Sequence, residues 1–230
     1  MRVAIITDQH FGARNDSIQC LDYYEKFYSN IFFPTLEQHG IKHVLILGDT
    51  FDRRKFINFN TLSRAKKMFF DAAYAQGIMI TMIAGNHDTY YKNTNDVNSP
   101  ELTLAEYENV VIISRPETVN VHGVPVCFLP WICADNYQQS LELIKNTDAM
   151  LCCGHFEIEG FQMYRGVESH GGLSQSMFDR YDKVSPGHVS LAFSMVFRAA
   201  DRTLTADEVS GYREAAARIA SERCGATVRS

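Results

Sequence analysis

The sequence predicts an α/β fold whose first part is built on a largely parallel sheet. Short apolar runs alternate with amphipathic stretches, polar loops follow several of those runs, and the alternation changes character after residue 110. The first two features belong to open α/β sheets, which hold ligands beyond their strand ends. The third points to a second, more antiparallel region.

The apolar runs Val3 to Thr7, Val44 to Leu47, Ile78 to Ala84, Val110 to Ser114, Val124 to Leu129 and Ala149 to Cys153 have the length of buried strands. Between them, Ile18 to Gln38, Thr61 to Tyr74 and Tyr137 to Asn146 have helical periodicity. No helix separates the runs at 110 and 124, so a hairpin is expected there. The loop "YYKNTNDVNSP", residues 90 to 100, reads as a mobile polar excursion.

Bulk composition narrows the function. With 46% hydrophobic residues the chain can build a sizeable core, and a formal charge of −5 excludes a generally basic protein that coats nucleic acid. Any phosphate ligand must then be held by local chemistry, for which metal ions would supply positive charge. Six cysteines without CxxC pairing read as reduced residues of a cytoplasmic protein. No apolar run reaches membrane-spanning length, and none reads as a secretion signal.

Four segments place metal-ligating residue types at expected strand ends: "TDQH", "LGDTFDRR", "AGNHD" and "CGHFE". Asp8 and His10, one residue apart after a strand, can converge on one ion. Asp49 follows Gly48 and has two oxygens, enough to bridge two cations. Asn86 offers a neutral oxygen and His87 an imidazole directed to the other side of the loop. His155 again follows a strand and a glycine. Each segment alone reads equally well as a capped turn; four in one order do not.

These residues, Asp8-x-His10, "GDTFDR", "GNHD" and "GHFE", resemble the calcineurin-like metallophosphoesterases over about residues 1–188. "CGHFEIEGF" and "GDTFDRRKFIN" are most similar to the SbcD-like and bacteriophage recombination exonuclease subunits. The resemblance implies a layered β-sandwich flanked by helices. It implies one ion on Asp8, His10 and Asp49, and a second on Asp49, Asn86, His155 and His188, with His87 protonating the leaving oxygen or stabilising developing charge. It further implies a hydrolase of DNA used in repair and recombination, with an ATPase subunit as partner, in a bacterial or phage-infected cell. The mixed nitrogen and oxygen donors favour manganese, with iron or zinc as alternatives. Simple phosphoesters are an alternative substrate class, because the same ligands would serve them.

Several neighbours have two readings. Asp88 is expected to orient His87 or cap the following turn, and Asp52 and Arg53 to pair behind Asp49. Arg54, Lys55, Tyr90, Tyr91 and Lys92 suit either a nucleic-acid strand or plain solvent. His170 could touch substrate, whereas His39, His43 and His122 read as structural.

Composition switches near Ser190: residues 191–230 contain no Lys, Asn, Gln or His. "LAFSMVFRA" alternates like a half-buried strand, Thr205 and Glu208 form a capping box, and "ATVRS" could be a last strand. This strand–helix–strand pattern, with "SLAFSMVFRAADRTLTADEV", resembles the end of the phenylalanyl-tRNA synthetase β chain, a ferredoxin-like anticodon-binding domain. The expectation is a chimera: residues 1–188 an incomplete phosphoesterase domain without the partner-docking segment, and 189–230 a partial anticodon-binding fragment. An RNA-binding fragment is accordingly the alternative function. In "SPGHVS", Ser190 stands where the phosphoesterase pattern expects a second histidine, so the first ion would lack its fourth protein ligand and activity is expected to be impaired.

Overall fold

The computed structural model describes residues 2–164, 167–179 and 181. Four strands form a parallel sheet in the order β1 (Ala4–Ile6), β2 (His43–Leu47), β3 (Met79–Ile83) and β4 (Val110–Ile113). A three-stranded sheet follows in the order β5 (Glu117–Val121), β6 (Val124–Leu129) and β7 (Leu151–Gly154). β5 and β6 form a hairpin, and β7 lies parallel to β6. A short ribbon pairs β8 (Gln162–Tyr164) with β9 (Val167–Glu168).

Side-chain alternation explains the layers. Val44, Ile46, Ile80 and Met82 bury one face of the first sheet against Leu21, Leu36, Met68 and Phe69, which lie on helices. Leu45, Ile83 and Ile113 bury the other face against Val121, Val126, Phe128 and Cys153 of the second sheet. That sheet turns Cys127 and Leu129 outward to Ile144, Ile158 and Phe178. A mixed α/β sandwich with helical outer layers results, in agreement with the expected fold class. β2 is covered on both faces, which is why "HVLIL" reads as a continuous apolar run.

The helices follow the sequence reading with one difference. Residues 18–38 begin as α1 (Ile18–Phe27), widen into a π-helical turn at Tyr28–Phe32, and end as α2 (Phe33–Gln38). Residues 59–75 repeat this design: α3 (Phe59–Ala65), a π turn at Lys66–Phe70 and α4 (Asp71–Ala75). Two further helices are α5 (Ser99–Leu104) and α6 (Tyr137–Asn146), the latter with the bounds the periodicity gives.

Two expectations need correction. The strands at 110 and 124 do not pair with each other. Val110–Ile113 joins β3, and the partner of β6 is Glu117–Val121, whose polar "ETVNV" hides its strand character because one side is exposed. The loop at 90–100 is internally tied rather than loose. Asn95 and Asn98 are buried, the first donating to the Trp131 carbonyl at 2.9 Å, the second to the Asn95 carbonyl at 2.9 Å.

The chain divides into two compact units, Met1–Ser190 and Leu191–Ser230. The expected strand–helix–strand pattern at 191–230 lies outside the described residues, as do His188 and Ser190. No helix among the described residues is long and apolar enough to cross a membrane.

Candidate metal centre

The parallel sheet sends several loops off the same end. Beyond β1 and β2 the two chains stay in register: the Asp8 N–H donates to the Gly48 carbonyl (3.1 Å), His10 to Asp49 (2.9 Å) and Phe11 to Thr50 (2.9 Å). β3 leads to Gly85 and Asn86, and β7 leads to His155, whose N–H donates to the Leu129 carbonyl at 3.0 Å. Asp8, His10 and Asp49 have φ of 53°, 44° and 51°, a left-handed backbone that costs an L residue about 1–2 kcal/mol. Such conformations persist where surrounding structure fixes them, and they gather at functional sites.

Asp49 is buried and divides its carboxylate between two groups. One oxygen stands 3.6 Å from His10 Nε2, which is also 3.6 Å from an Asp8 oxygen. The other stands 3.5 Å from His155 Nε2 and accepts the His87 backbone N–H at 2.8 Å. Asn86 Oδ1 is 3.0 Å from the same His155 nitrogen. Ligand atoms of Asp8, His10 and Asp49 all fall within 4.8 Å of one another. Five of the six expected ligands are thus brought together; the sixth, His188, is outside the described residues.

The charge balance and donor chemistry suit cations. Burial works against the Asp8 carboxylate, yet His10 and Thr7 hold its pKa below the usual range. Burial likewise opposes ionisation of Asp49, and His155, the His87 N–H and His10 overcome it. In the imidazoles burial disfavours charge, but the carboxylates prevail: His10 is raised by Asp8, Asp49 and Asp52, and His155 reaches about 9 through Asp49. The negative charge that holds these protons would hold metal ions instead, releasing protons on binding. His155 Nδ1 lies 2.8 Å from the Leu47 carbonyl, so an N–H there would leave Nε2 facing Asp49 and Asn86. That carbonyl contact is the usual second contact of a metal-bound histidine. The residues fit a two-cation centre.

Glycine makes this closeness possible at two positions. A Cβ on Gly48 would lie 2.5 Å from His155 Nδ1, and one on Gly85 would overlap the Asp49 carboxylate.

His87 Nδ1 is 2.6 Å from the Asp52 carbonyl, and its ring stands edge-on to His10 with centroids 5.0 Å apart. Two expected roles are revised. Asp88 does not orient His87; it accepts backbone N–H bonds from Gly85 (2.9 Å), Phe51 (3.1 Å) and Thr50 (3.2 Å). Arg53 does not pair with Asp52. It reaches Asp16 at 3.1 Å and Asn15 at 2.6 Å, on a left-handed turn that the Thr61 hydroxyl also contacts. Asp52 instead faces His10 Nδ1 at 3.4 Å, an ion-pair distance without hydrogen-bond geometry. Sequence reasoning placed Asp52 behind Asp49 but missed His10 as its neighbour, since the two meet only through the pairing of their loops. His43 and His122 are structural as expected, hydrogen-bonded to each other at 2.9 Å.

Both parts of the chain are similar to known proteins. The calcineurin-like phosphoesterase model matches residues 1–189, and a ferredoxin-fold anticodon-binding model matches residues 163–229. Exonuclease subunit 1 of Enterobacteria phage T4 is 32% identical across 93% of the chain and 63% of its own length. That alignment therefore runs beyond residue 189. The phenylalanine–tRNA ligase β subunits of Streptomyces avermitilis and Mycobacterium leprae are 48% and 60% identical over 67 and 40 residues, covering 27% and 17% of the chain and 8% and 5% of their own lengths. The chain thus spans less than two thirds of the curated relatives it matches. Pseudomonas putida nuclease MPE superimposes with a TM-score of 0.37 at 16% identity, over 55% of this chain and 52% of that one. The C-terminal part resembles the anticodon-binding domain of the synthetase β chain, and the chain, with the model matched from residue 1 to 189, belongs to the calcineurin-like phosphoesterase family.

Proposed function

We propose that the chain is a two-metal phosphodiesterase acting on DNA, of the exonuclease type used in recombination and repair. The observation that carries this reading is the division of the Asp49 carboxylate between His10 with Asp8 on one side and His155 with Asn86 on the other. Asp8, His10 and Asp49 would hold one ion; Asp49, Asn86, His155 and His188 would hold the other, manganese being the best match to these donors. Two cations bound there would supply the positive charge a phosphodiester requires and would lower the pKa of water. His87, held by the Asp52 carbonyl, would present its remaining ring nitrogen to the leaving oxygen. DNA is favoured over simple phosphoesters by the likeness to the phage exonuclease subunit. In this reading residues 1–188 form the nuclease domain, residues 189–230 the anticodon-binding fragment, and the whole is a chimera. An ATPase subunit would be the partner of the uninterrupted relatives.

The test is manganese-dependent cleavage of DNA and of an aryl phosphodiester, with manganese binding followed calorimetrically. Asp49→Asn should abolish tight manganese binding and lower cleavage at least about 100-fold, on the scale of losing a group central to charge stabilisation. Unchanged cleavage would refute the two-metal reading. Ser190→His should raise activity if the substituted ligand limits the centre. A second reading rests on the anticodon-binding match at 163–229: recognition of tRNA. Tight tRNA binding that survives Asp49→Asn would favour it.

A further inference from the structure

Two loops leave the centre and meet beside it. One runs from Asp52 to Arg54, Lys55 and Phe56. The other runs from His87 to Tyr90 and Tyr91. His87 is hydrogen-bonded to Asp52, so both loops start from one contact. Tyr90 lies three residues beyond His87, at most about 11 Å along an extended chain.

Cations and rings pair between these loops. The Arg54 guanidinium lies 4.7 Å from the Trp131 ring centroid and contacts the Tyr91 carbonyl at 3.4 Å. The Lys55 ammonium lies 5.8 Å from the Tyr90 ring, and Tyr90 meets Tyr91 edge-on with centroids 4.8 Å apart. Tyr90, Tyr91 and Phe56 are 41%, 49% and 61% exposed. Arg54 and Lys55 have no carboxylate within ion-pair distance, as is also true of Arg14, Lys42 and Lys92 among the described residues; their contacts with rings beside the centre set them apart. The tyrosine loop is also set in place: Tyr90 N–H donates to the Val97 carbonyl at 2.9 Å, and buried Asn95 donates to the Trp131 carbonyl.

Resting on the phosphodiesterase reading above, we infer that this strip is a binding site for an unpaired DNA strand, whose bases stack on Tyr90 and Tyr91 while Arg54 and Lys55 take its phosphates. Half-exposed rings complement unstacked bases, which a duplex keeps within its own stack. A duplex would need a broader basic track, and the chain as a whole is acidic. The cations rest against aromatic rings and have no carboxylate to release, so they can move to phosphates at small cost. The strip would deliver a single-stranded end to the centre and explain how substrate is gripped independently of metal.

The test is binding of a fluorescent oligodeoxynucleotide in EDTA, followed by anisotropy and by quenching of Trp131, the one tryptophan of the chain. Tyr91→Ala should weaken binding about tenfold, as loss of a base stack does, while Tyr91→Phe keeps parental affinity. Arg54→Gln should lower the slope of log affinity against log salt by about 0.7, the share of one phosphate contact on a single strand. A blunt duplex of the same sequence should bind at least about tenfold more weakly. The inference is overturned if Tyr91→Ala binds as the parent does, if Tyr91→Phe loses as much as Tyr91→Ala, if the duplex binds as tightly, or if an oligoribonucleotide binds more tightly than DNA. Manganese-dependent cleavage compared between the parent and Asp49→Asn is a separate measurement. Cleavage that depends on Asp49 without ring-dependent binding sinks the strip alone; cleavage indifferent to Asp49 sinks the underlying reading.

Discussion

Asp88 is 1% exposed and accepts three backbone N–H bonds, from Gly85, Thr50 and Phe51, so one carboxylate joins the loop after β2 to the loop after β3. Burial pushes its carboxyl up to about 6, against those hydrogen bonds. Removing the acceptor leaves three enclosed donors unpaired. Asp88→Ala should therefore cost about 3 kcal/mol or more of stability, and Asp88→Asn, which keeps one carbonyl oxygen, should cost less. Urea unfolding of the two variants checks the order; equal losses would mean that the amides find other partners. Asp8, His10, Asp49, Asn86 and His155 were legible in the sequence because each follows an apolar run that delivers it to a strand end. The work of Asp88 was not, since Thr50 and Phe51 stand 38 and 37 residues away and their proximity depends on sheet register.

The two long helical stretches meet at their π turns. Each turn widens the helix where aromatic residues cluster, and Phe69 meets Tyr28, Phe32 and Phe33 at centroid distances of 4.9, 5.7 and 5.8 Å. Phe69 is fully buried at the centre of this cluster. Phe69→Ala should destabilise by about 3–5 kcal/mol, the range for deleting a buried ring, whereas Phe59→Ala, on a residue 88% exposed, should change little. Urea midpoints of the two variants test this, and similar values would deny Phe69 its central place. Helical periodicity survived in the sequence despite the extra residue in each turn, so both stretches were readable as helices but not as interrupted ones. β5 escaped for the opposite reason: a strand with three exposed residues out of five presents too little apolar pattern to stand out.

Across the whole sandwich, the sheets are tied at the end away from the centre by His43 at the start of β2. Its ring contacts His122 on the β5–β6 turn and Thr81 on β3, both at 2.9 Å. Burial and the neighbouring His122 hold the His43 pKa below 6.5. The unfolded chain then binds the proton more readily, so this stabilisation is complete above about 6.5 and is lost as pH falls through the lower folded value. Urea midpoints measured from about pH 7 to pH 5 should fall more steeply for the parent than for His43→Gln; equal slopes would exclude His43 as a source. The layers of residues 2–164 were legible from alternating apolar runs, while the pairing of the two sheets was not, because no local pattern records which strand faces which. The order of those strands also sets when the centre can assemble during synthesis. His155 must reach back 108 residues to rest on Leu47, so a nascent chain that has made β1 to β6 still lacks His155. Under the proposed ligand set, a ribosome translating this message would therefore carry an incomplete centre even past β7, until His188 had emerged as well.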